Sequence, residues 1–387
     1  MWDRSLLAVR ATRAQSLDCK ALGGVRLSLG HAALVDYLLE KELLTAQQLV
    51  TGQLAVSDIS RRNYNTRVVT DGVSLLVKQA TDPESLQTLH REARIYQLIQ
   101  QESAYSAIRQ HVAYLRHFDE VNGILILELL QGEDLERYHA QGYFSLILAR
   151  QTGKAIARLH GFGCANASWR SETATQLPWA FSIGSPRLSE FMAMSPAATD
   201  VVKLVQREGF TEFLARAAID WTASTPVHGD IKWANLIAHP GPGKKRLTQI
   251  KIVDWEYASF GDPAWDIAGV FASYLAYWIL GMSISANTSA SEWDTSSRYP
   301  LGRMQPAILA FWKTYAGQSA RTGSNQANLL ARSAVYLGVR LLQSAIEYSG
   351  AQVRIVPQVG CMLQVARNIL ARPEVALVHL LGIRPEN

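Results

Sequence analysis

The run from Pro226 to Phe271, PVHGDIKWANLIAHPGPGKKRLTQIKIVDWEYASFGDPAWDIAGVF, constrains the chain more than any other stretch. Two short apolar segments, Asn235–Ala238 and Ile250–Val253, flank a turn rich in Pro, Gly and Lys, which predicts a β-hairpin. His228, Asp230, Lys232 and Asn235 lead into the first strand, and Asp254 directly follows the second. A hairpin holds those two ends side by side, so the polar residues are predicted to meet at one edge.

That grouping suits phosphoryl transfer. Magnesium prefers a few hard oxygen ligands, with waters and phosphates completing its shell. Asn235 and Asp254 supply such oxygens and are the candidate metal ligands. Asp230 is placed to accept the proton of an attacking hydroxyl, and Lys232 to neutralise charge on the transferred phosphoryl group; these two are the candidate catalytic residues. The order H-G-D-x-x-x-x-N, an apolar strand ending in D-W-E, then G-D-P-x-x-D resembles the core of the aminoglycoside phosphotransferase and choline kinase-like family, small-molecule relatives of the protein kinases. The resemblance implies an α+β, two-lobed protein-kinase-like fold, its small lobe an antiparallel sheet plus a helix and its large lobe mostly helical. It implies Mg2+ as cofactor, ATP or GTP as co-substrate, and an ATP-dependent kinase acting on an alcohol.

Upstream, Lys78 ends the apolar run Ser74–Lys78, and Glu92 follows fourteen residues later in LQTLHREARIYQLIQ. Leu86, Leu89, Ala93 and Tyr96 recur there at helical spacing. By the resemblance, Lys78 and Glu92 are the strand lysine and helix glutamate that jointly hold the nucleotide phosphates. No G-x-G-x-x-G lies between the strand-like runs near 57–59 and 66–69. Arg61 and Asn63, with Arg62 and Asn65, are candidates to cover the phosphates instead, or else form a solvated basic hairpin tip. The apolar run Gly123–Leu130, followed by Q-G-E-D-L, has the form of a lobe hinge. The resemblance implies that backbone groups at Glu128 and Leu130 bond the adenine edge.

These markers divide the chain into an N-terminal helical extension (1–56), a small lobe (57–130) and a large lobe with C-terminal helices (131–387). The large lobe is expected to open with an amphipathic helix over Phe144–His160, closed by Gly161. Residues 178–223 read as mostly helical, and 287–297 as a loop or lid. His228 is expected to brace the backbone near Asp254, and Asp266 to bond catalytic-loop amides. Glu256 either faces a second metal or the acceptor, or sits on a solvated surface.

Composition adds outer bounds. Hydrophobic residues at 48% and charged residues at 18% describe an ordinary globular protein. A net charge of +5 gives no reason to expect nucleic acid as a partner. Cys19, Cys164 and Cys361 are scattered and odd in number, which fits free thiols in the cytoplasm, and no signal peptide is evident in 1–20. The uncharged segment Ile267–Ile284 nearly reaches membrane-spanning length. It is expected to be a buried helix instead, because Asp266 must stay beside the catalytic loop and no basic flank anchors the segment.

From Leu301 onward nine basic residues stand against Glu347, Glu374 and Glu386. A lobe built for a polycationic aminoglycoside should be acidic, so the count favours another acceptor. The S-R-R-N segment, the H-G-D-I-K-W-A-N loop and R-Y-P-L-x-x-M-Q-P-A-I are similar to kinases of class V lanthipeptide-type pathways. That likeness implies Ser or Thr of a precursor peptide as the hydroxyl-bearing substrate, and a partner lyase. The alternatives are a small-molecule kinase of the aminoglycoside or choline type, and a pseudokinase binding module. The complete set Lys78, Glu92, Asp230, Asn235 and Asp254 argues against the last.

Overall fold

In the computed structural model of the protein, the residues described are 29–51, 53–59, 64–162, 167–173, 177–184, 195–241, 243, 246–284, 296–319 and 323–384. Five strands, β1 (Ala55–Asp58), β2 (Tyr64–Thr70), β3 (Val73–Gln79), β4 (Leu115–Asp119) and β5 (Ile124–Glu128), form one antiparallel sheet in the order β1-β2-β3-β5-β4. The helix Pro83–Gln101 interrupts the strand sequence after β3. Its start is written locally: Asp82 Oδ1 accepts a hydrogen bond from the Ser85 amide at 2.8 Å, Ser85 Oγ accepts one from the Asp82 amide at 3.1 Å, and Pro83 takes the first helical position.

Both faces of this sheet are covered, which explains why β5 is apolar without alternation. Leu125 and Leu127 face the main core, which includes Leu89, Ala93 and Tyr96 of the Pro83–Gln101 helix. Ile124 and Ile126 face a second core, closed by Leu34, Leu38 and Leu44. Leu34 and Leu38 belong to the helix His31–Glu40, so the N-terminal helical segment roofs the outer face of the sheet. Tyr37 Oη fastens it by donating to Asp119 at 2.9 Å.

The large lobe carries two small sheets. β7 (Thr225–Val227) pairs antiparallel with β10 (Ser259–Gly261), and β8 (Leu236–Pro240) lies between β6 (Glu133–Asp134) and β9 (Leu247–Ile252). Leu236 stands opposite Ile252 in the predicted hairpin, so the catalytic loop between β7 and β8 lies beside the segment that follows β9. Around them pack the helices Leu146–His160, Pro263–Leu280, Leu301–Gln318, Ser324–Ser349 and Pro357–Ala371. Ser145 caps the first of these, and Gly161 ends it at φ −74°, not in the left-handed conformation that a glycine stop usually implies.

The Pro263–Leu280 helix contains most of the uncharged 267–284 segment and is buried along nearly its whole length. The absence of charge after Asp266 reflects the enclosure of this segment by the rest of the large lobe. Among the described residues no helix is long and apolar enough to cross a membrane. The two-lobed, protein-kinase-like α+β architecture is the one the motifs imply.

Candidate active site

The catalytic loop is fixed from below by Asp266, in the first turn of the Pro263–Leu280 helix. Its Oδ2 accepts the His228 amide at 2.8 Å and its Oδ1 the Gly229 amide at 3.0 Å. His160 Nε2 lies 3.1 Å from the same carboxylate. Burial pushes the Asp266 carboxyl up, but these hydrogen bonds, with the His160 and His228 rings beside it, outweigh that and hold it below the usual range. Gly229 turns the chain at φ +81°, where a Cβ would stand 2.3 Å from the Tyr257 carbonyl oxygen, so only glycine fits. His228 is buried, which drives its pKa down. Its Nε2–H donates to the Val253 carbonyl at 3.0 Å and its Nδ1 accepts the Asp230 amide at 3.3 Å, the bracing expected of it.

Asp230 and Asn235 lie together. Asn235 Nδ2 donates to the Asp230 carbonyl at 2.9 Å and to Asp230 Oδ2 at 3.1 Å, so Oδ1 is the atom it can offer a cation. Lys232 Nζ is 2.8 Å from Asp230 Oδ2 and 3.3 Å from Glu347 Oε2. Burial works against the Lys232 charge, yet Asp230 and Glu347 raise its pKa above the ordinary lysine value.

Across the cleft, Lys78 Nζ contacts both Glu92 oxygens, at 2.7 and 2.8 Å, and Asp254 Oδ1 at 2.9 Å. Asp254 sits directly after β9 in the left-handed conformation, φ 68° and ψ 63°, an uncommon setting for a residue other than glycine. Burial raises its pKa, but the Lys78 charge and hydrogen bond reverse that and keep the carboxyl below its usual value. The left-handed turn and the contact with Lys78 together set where this carboxylate stands at the end of the hairpin.

Magnesium fits these residues in one specific way. Among the described residues no group of three or more His, Cys, Asp or Glu could hold a metal by itself. Magnesium does not need one, since it is commonly bound through one or two protein oxygens plus substrate phosphates. Asn235 Oδ1 and an Asp254 oxygen are a donor set of that kind. Glu256 lies just beyond; burial, then the Asp254 and Glu92 charges, push its carboxyl up to about 7.

The remaining sequence candidates are placed less directly. Glu128 ends β5, and its amide donates to the Tyr114 carbonyl at 2.8 Å, which leaves the carbonyl as the Glu128 backbone group to consider for the adenine edge. Leu130 follows two residues on, half-buried at the lobe junction. Arg61 and Asn63, and most of the 287–297 loop, lie outside the described residues.

Residues 52–297 match the phosphotransferase enzyme family (APH). The chain belongs to that family. Its fold is similar to that of a Plasmodium vivax ethanolamine kinase, at 13% identity and a TM-score of 0.54 over 91% of each chain. It is also similar to a choline kinase from Cryptosporidium parvum, at 11% identity and a TM-score of 0.52 over 91% of this chain and 98% of the other. A putative aminoglycoside phosphotransferase from Ralstonia eutropha follows at 16% identity and a TM-score of 0.50, covering 89% and 97%. At such identities the likeness is one of fold. No curated protein matches the chain significantly.

In this phosphotransferase the sequence reading missed a set of residues that touch the loop from the Ser324–Ser349 helix. Arg340, Gln343 and Glu347 contact the catalytic loop or one another, and Arg332 and Tyr336 bond Asp262, the cap of the Pro263–Leu280 helix. The available signal was the spacing 332, 336, 340, 343, 347, one stripe that carries both arginines and the one glutamate of the helix.

The same contacts correct the charge argument about the acceptor. Arg332 pairs with Asp262, Arg340 stands as a cation 3.5 Å from Asp230, and Glu347 is a carboxylate beside Lys232. Of the residues counted, Arg340 and Glu347 reach the site, one of each sign, so the basic excess along the C-terminal sequence is not by itself the charge of the cleft.

Proposed function

We propose that this phosphotransferase moves the γ-phosphoryl group of ATP or GTP to the hydroxyl of an acceptor in the cytoplasm, using Asp230, Lys232, Asn235, Asp254, Lys78 and Glu92. The observation that carries the reading is the convergence of Asp230, Asn235 and Asp254 at one end of the β8–β9 hairpin, facing Lys78 from the small lobe. The hydroxyl oxygen attacks the γ-phosphorus as the bond to the bridging oxygen breaks, the nucleoside diphosphate leaves, and the hydroxyl proton passes to Asp230. Lys232, within reach of Asp230, balances charge on the phosphoryl group in flight. Lys78, oriented by Glu92, holds the remaining phosphates. Bound Mg2+, held by Asn235 and Asp254, would supply charge neutralisation at the phosphates.

The acceptor we propose is a serine or threonine of a precursor peptide, later acted on by a partner lyase. The D-x-K-x-x-N loop supports it, because it has the lysine spacing of kinases that act on proteins. A small-molecule amino alcohol is the second reading, favoured by Glu347, a carboxylate beside Lys232 that suits a cationic group. The test offers serine-containing precursor peptides, choline and aminoglycosides in parallel with ATP and GTP, comparing kcat/KM. Peptide as the best acceptor is the expected result. Efficient transfer to choline or an aminoglycoside with none to peptide would establish the second reading, and nucleotide binding without any turnover would make the protein a binding module.

A further inference from the structure

The Ser324–Ser349 helix places a buried arginine under the catalytic loop, and its contacts enclose both candidate catalytic side chains. Arg340, 4% exposed, donates Nη2–H to the Ile231 carbonyl and Nη1–H to Gln343 Oε1, at 2.6 and 2.9 Å. Nη1 is also 3.5 Å from Asp230 Oδ1. The guanidinium lies 5.0 Å over the ring of Trp265, whose Nε1–H donates to the Gly229 carbonyl at 2.8 Å. The carbonyls on either side of Asp230 are thus held by two side chains that stack on each other.

From Gln343 the contacts continue. Gln343 Nε2–H donates to Glu347 Oε1 at 2.8 Å, and Glu347 Oε2 meets Lys232 Nζ, which returns to Asp230. Arg340, Gln343, Glu347, Lys232 and Asp230 therefore form a ring of hydrogen bonds and ion pairs, its longest link the 3.5 Å ion pair between Arg340 and Asp230. Resting on the phosphotransfer reading above, we propose that Arg340 is the positioning residue for Asp230 and Glu347 the positioning residue for Lys232. A buried arginine is costly to desolvate unless it is paired and hydrogen-bonded, as Arg340 is here. The ring gives each catalytic side chain a second partner of opposite charge. When Lys232 turns from Asp230 to the phosphoryl group, Arg340 remains as the cation beside Asp230 and Glu347 remains as the tether of Lys232. Misplacing a reacting group by about 1 Å costs on the order of a hundredfold in rate, so such holding is kinetically significant.

The test uses full-length protein and four variants, Arg340→Lys, Glu347→Gln, Lys232→Met and the Glu347→Gln/Lys232→Met double. Steady-state kinetics are read together with amide hydrogen exchange of residues 228–235. Arg340→Lys is expected to lower kcat by roughly tenfold or more with nucleotide KM within about twofold, since the interaction acts on chemistry and not on binding. Glu347→Gln keeps its shape and sits at the edge of the ring. It is expected to lower kcat, and its effect should largely vanish in the Lys232→Met background. Faster exchange confined to 228–235 in Arg340→Lys supports the proposal without any turnover. Wild-type kcat in Glu347→Gln, strictly additive effects, or unchanged exchange in Arg340→Lys would overturn it. A wild-type protein with no turnover on any acceptor counts against the phosphotransfer reading alone, and the exchange measurement then still decides the positioning.

Discussion

Lys78 Nζ touches both carboxylate oxygens of Glu92, at 2.7 and 2.8 Å, and Asp254 Oδ1 at 2.9 Å, so one buried ammonium ties the small-lobe helix to the end of the β8–β9 hairpin. Lys78→Met should raise nucleotide KM strongly, and Glu92→Gln less so, because it leaves Lys78 its Asp254 contact. Combined, the two should cost less than their sum, since both act through one ammonium. Kinetics on the four proteins of the cycle check this; simple additivity would dissolve the pair. Glu92→Gln should also lose about 1–3 kcal/mol of stability, the usual cost of weakening a buried hydrogen-bonded charge.

Asn235 and Asp254 are predicted to hold the magnesium of the reacting complex. Asp254→Asn tolerates the left-handed backbone better than Asp254→Ala and so separates ligand loss from strain. Either variant, and Asn235→Ala, should lower phosphotransfer by on the order of a hundredfold or more at any magnesium concentration while the cooperative unfolding transition persists. Full wild-type turnover of Asp254→Asn at saturating magnesium removes the assignment.

Glu256 gives a pH dependence with a defined sign. Its carboxyl is held up at about 7 by burial and by Asp254 and Glu92, against a reference value of 4.5. Between those values the folded protein binds more protons than the unfolded chain, so stability falls as pH rises through that window and the loss is complete above about 7. Glu256→Gln should remove the slope. Thermal unfolding from pH 4.5 to 8 is the measurement, and a variant whose difference from wild type does not grow with pH refutes it.

Gly269 is where the Pro263–Leu280 helix meets the catalytic loop. A Cβ there would lie 2.3 Å from the Ile231 carbonyl oxygen and 3.3 Å from Arg340 Nη2. Gly269→Ala must push the loop away, at about 1–3 kcal/mol for overpacking. A lowered Tm together with a lowered kcat is expected; an alanine variant with wild-type kcat would show that the loop does not need this close approach.

Much of the fold was legible because its signals are local. The spacing of Leu86, Leu89, Ala93 and Tyr96 marks one helix, and the apolar runs of β8 and β9 with a Pro/Gly turn between them specify a hairpin. The loop residues Asp230 and Asn235 and the post-strand Asp254 came within reach for the same reason, since a hairpin fixes the neighbours of its own ends.

The sequence by itself determined the elements and the short-range chemistry: which residues recur at helical spacing, which runs are apolar, and which polar groups lie at the ends of one hairpin. Only the tertiary structure decided that Glu347 stands beside Lys232, 115 residues away, and that Arg340 lies under Ile231, 109 residues away. It also decided which charges of the C-terminal region reach the site, Arg340 and Glu347, one of each sign. The physical reason is that a buried charge takes its partners from whichever elements pack against it. The hydrophobic effect that brings those elements together is non-directional and is written over the whole core, not in any one stretch of chain.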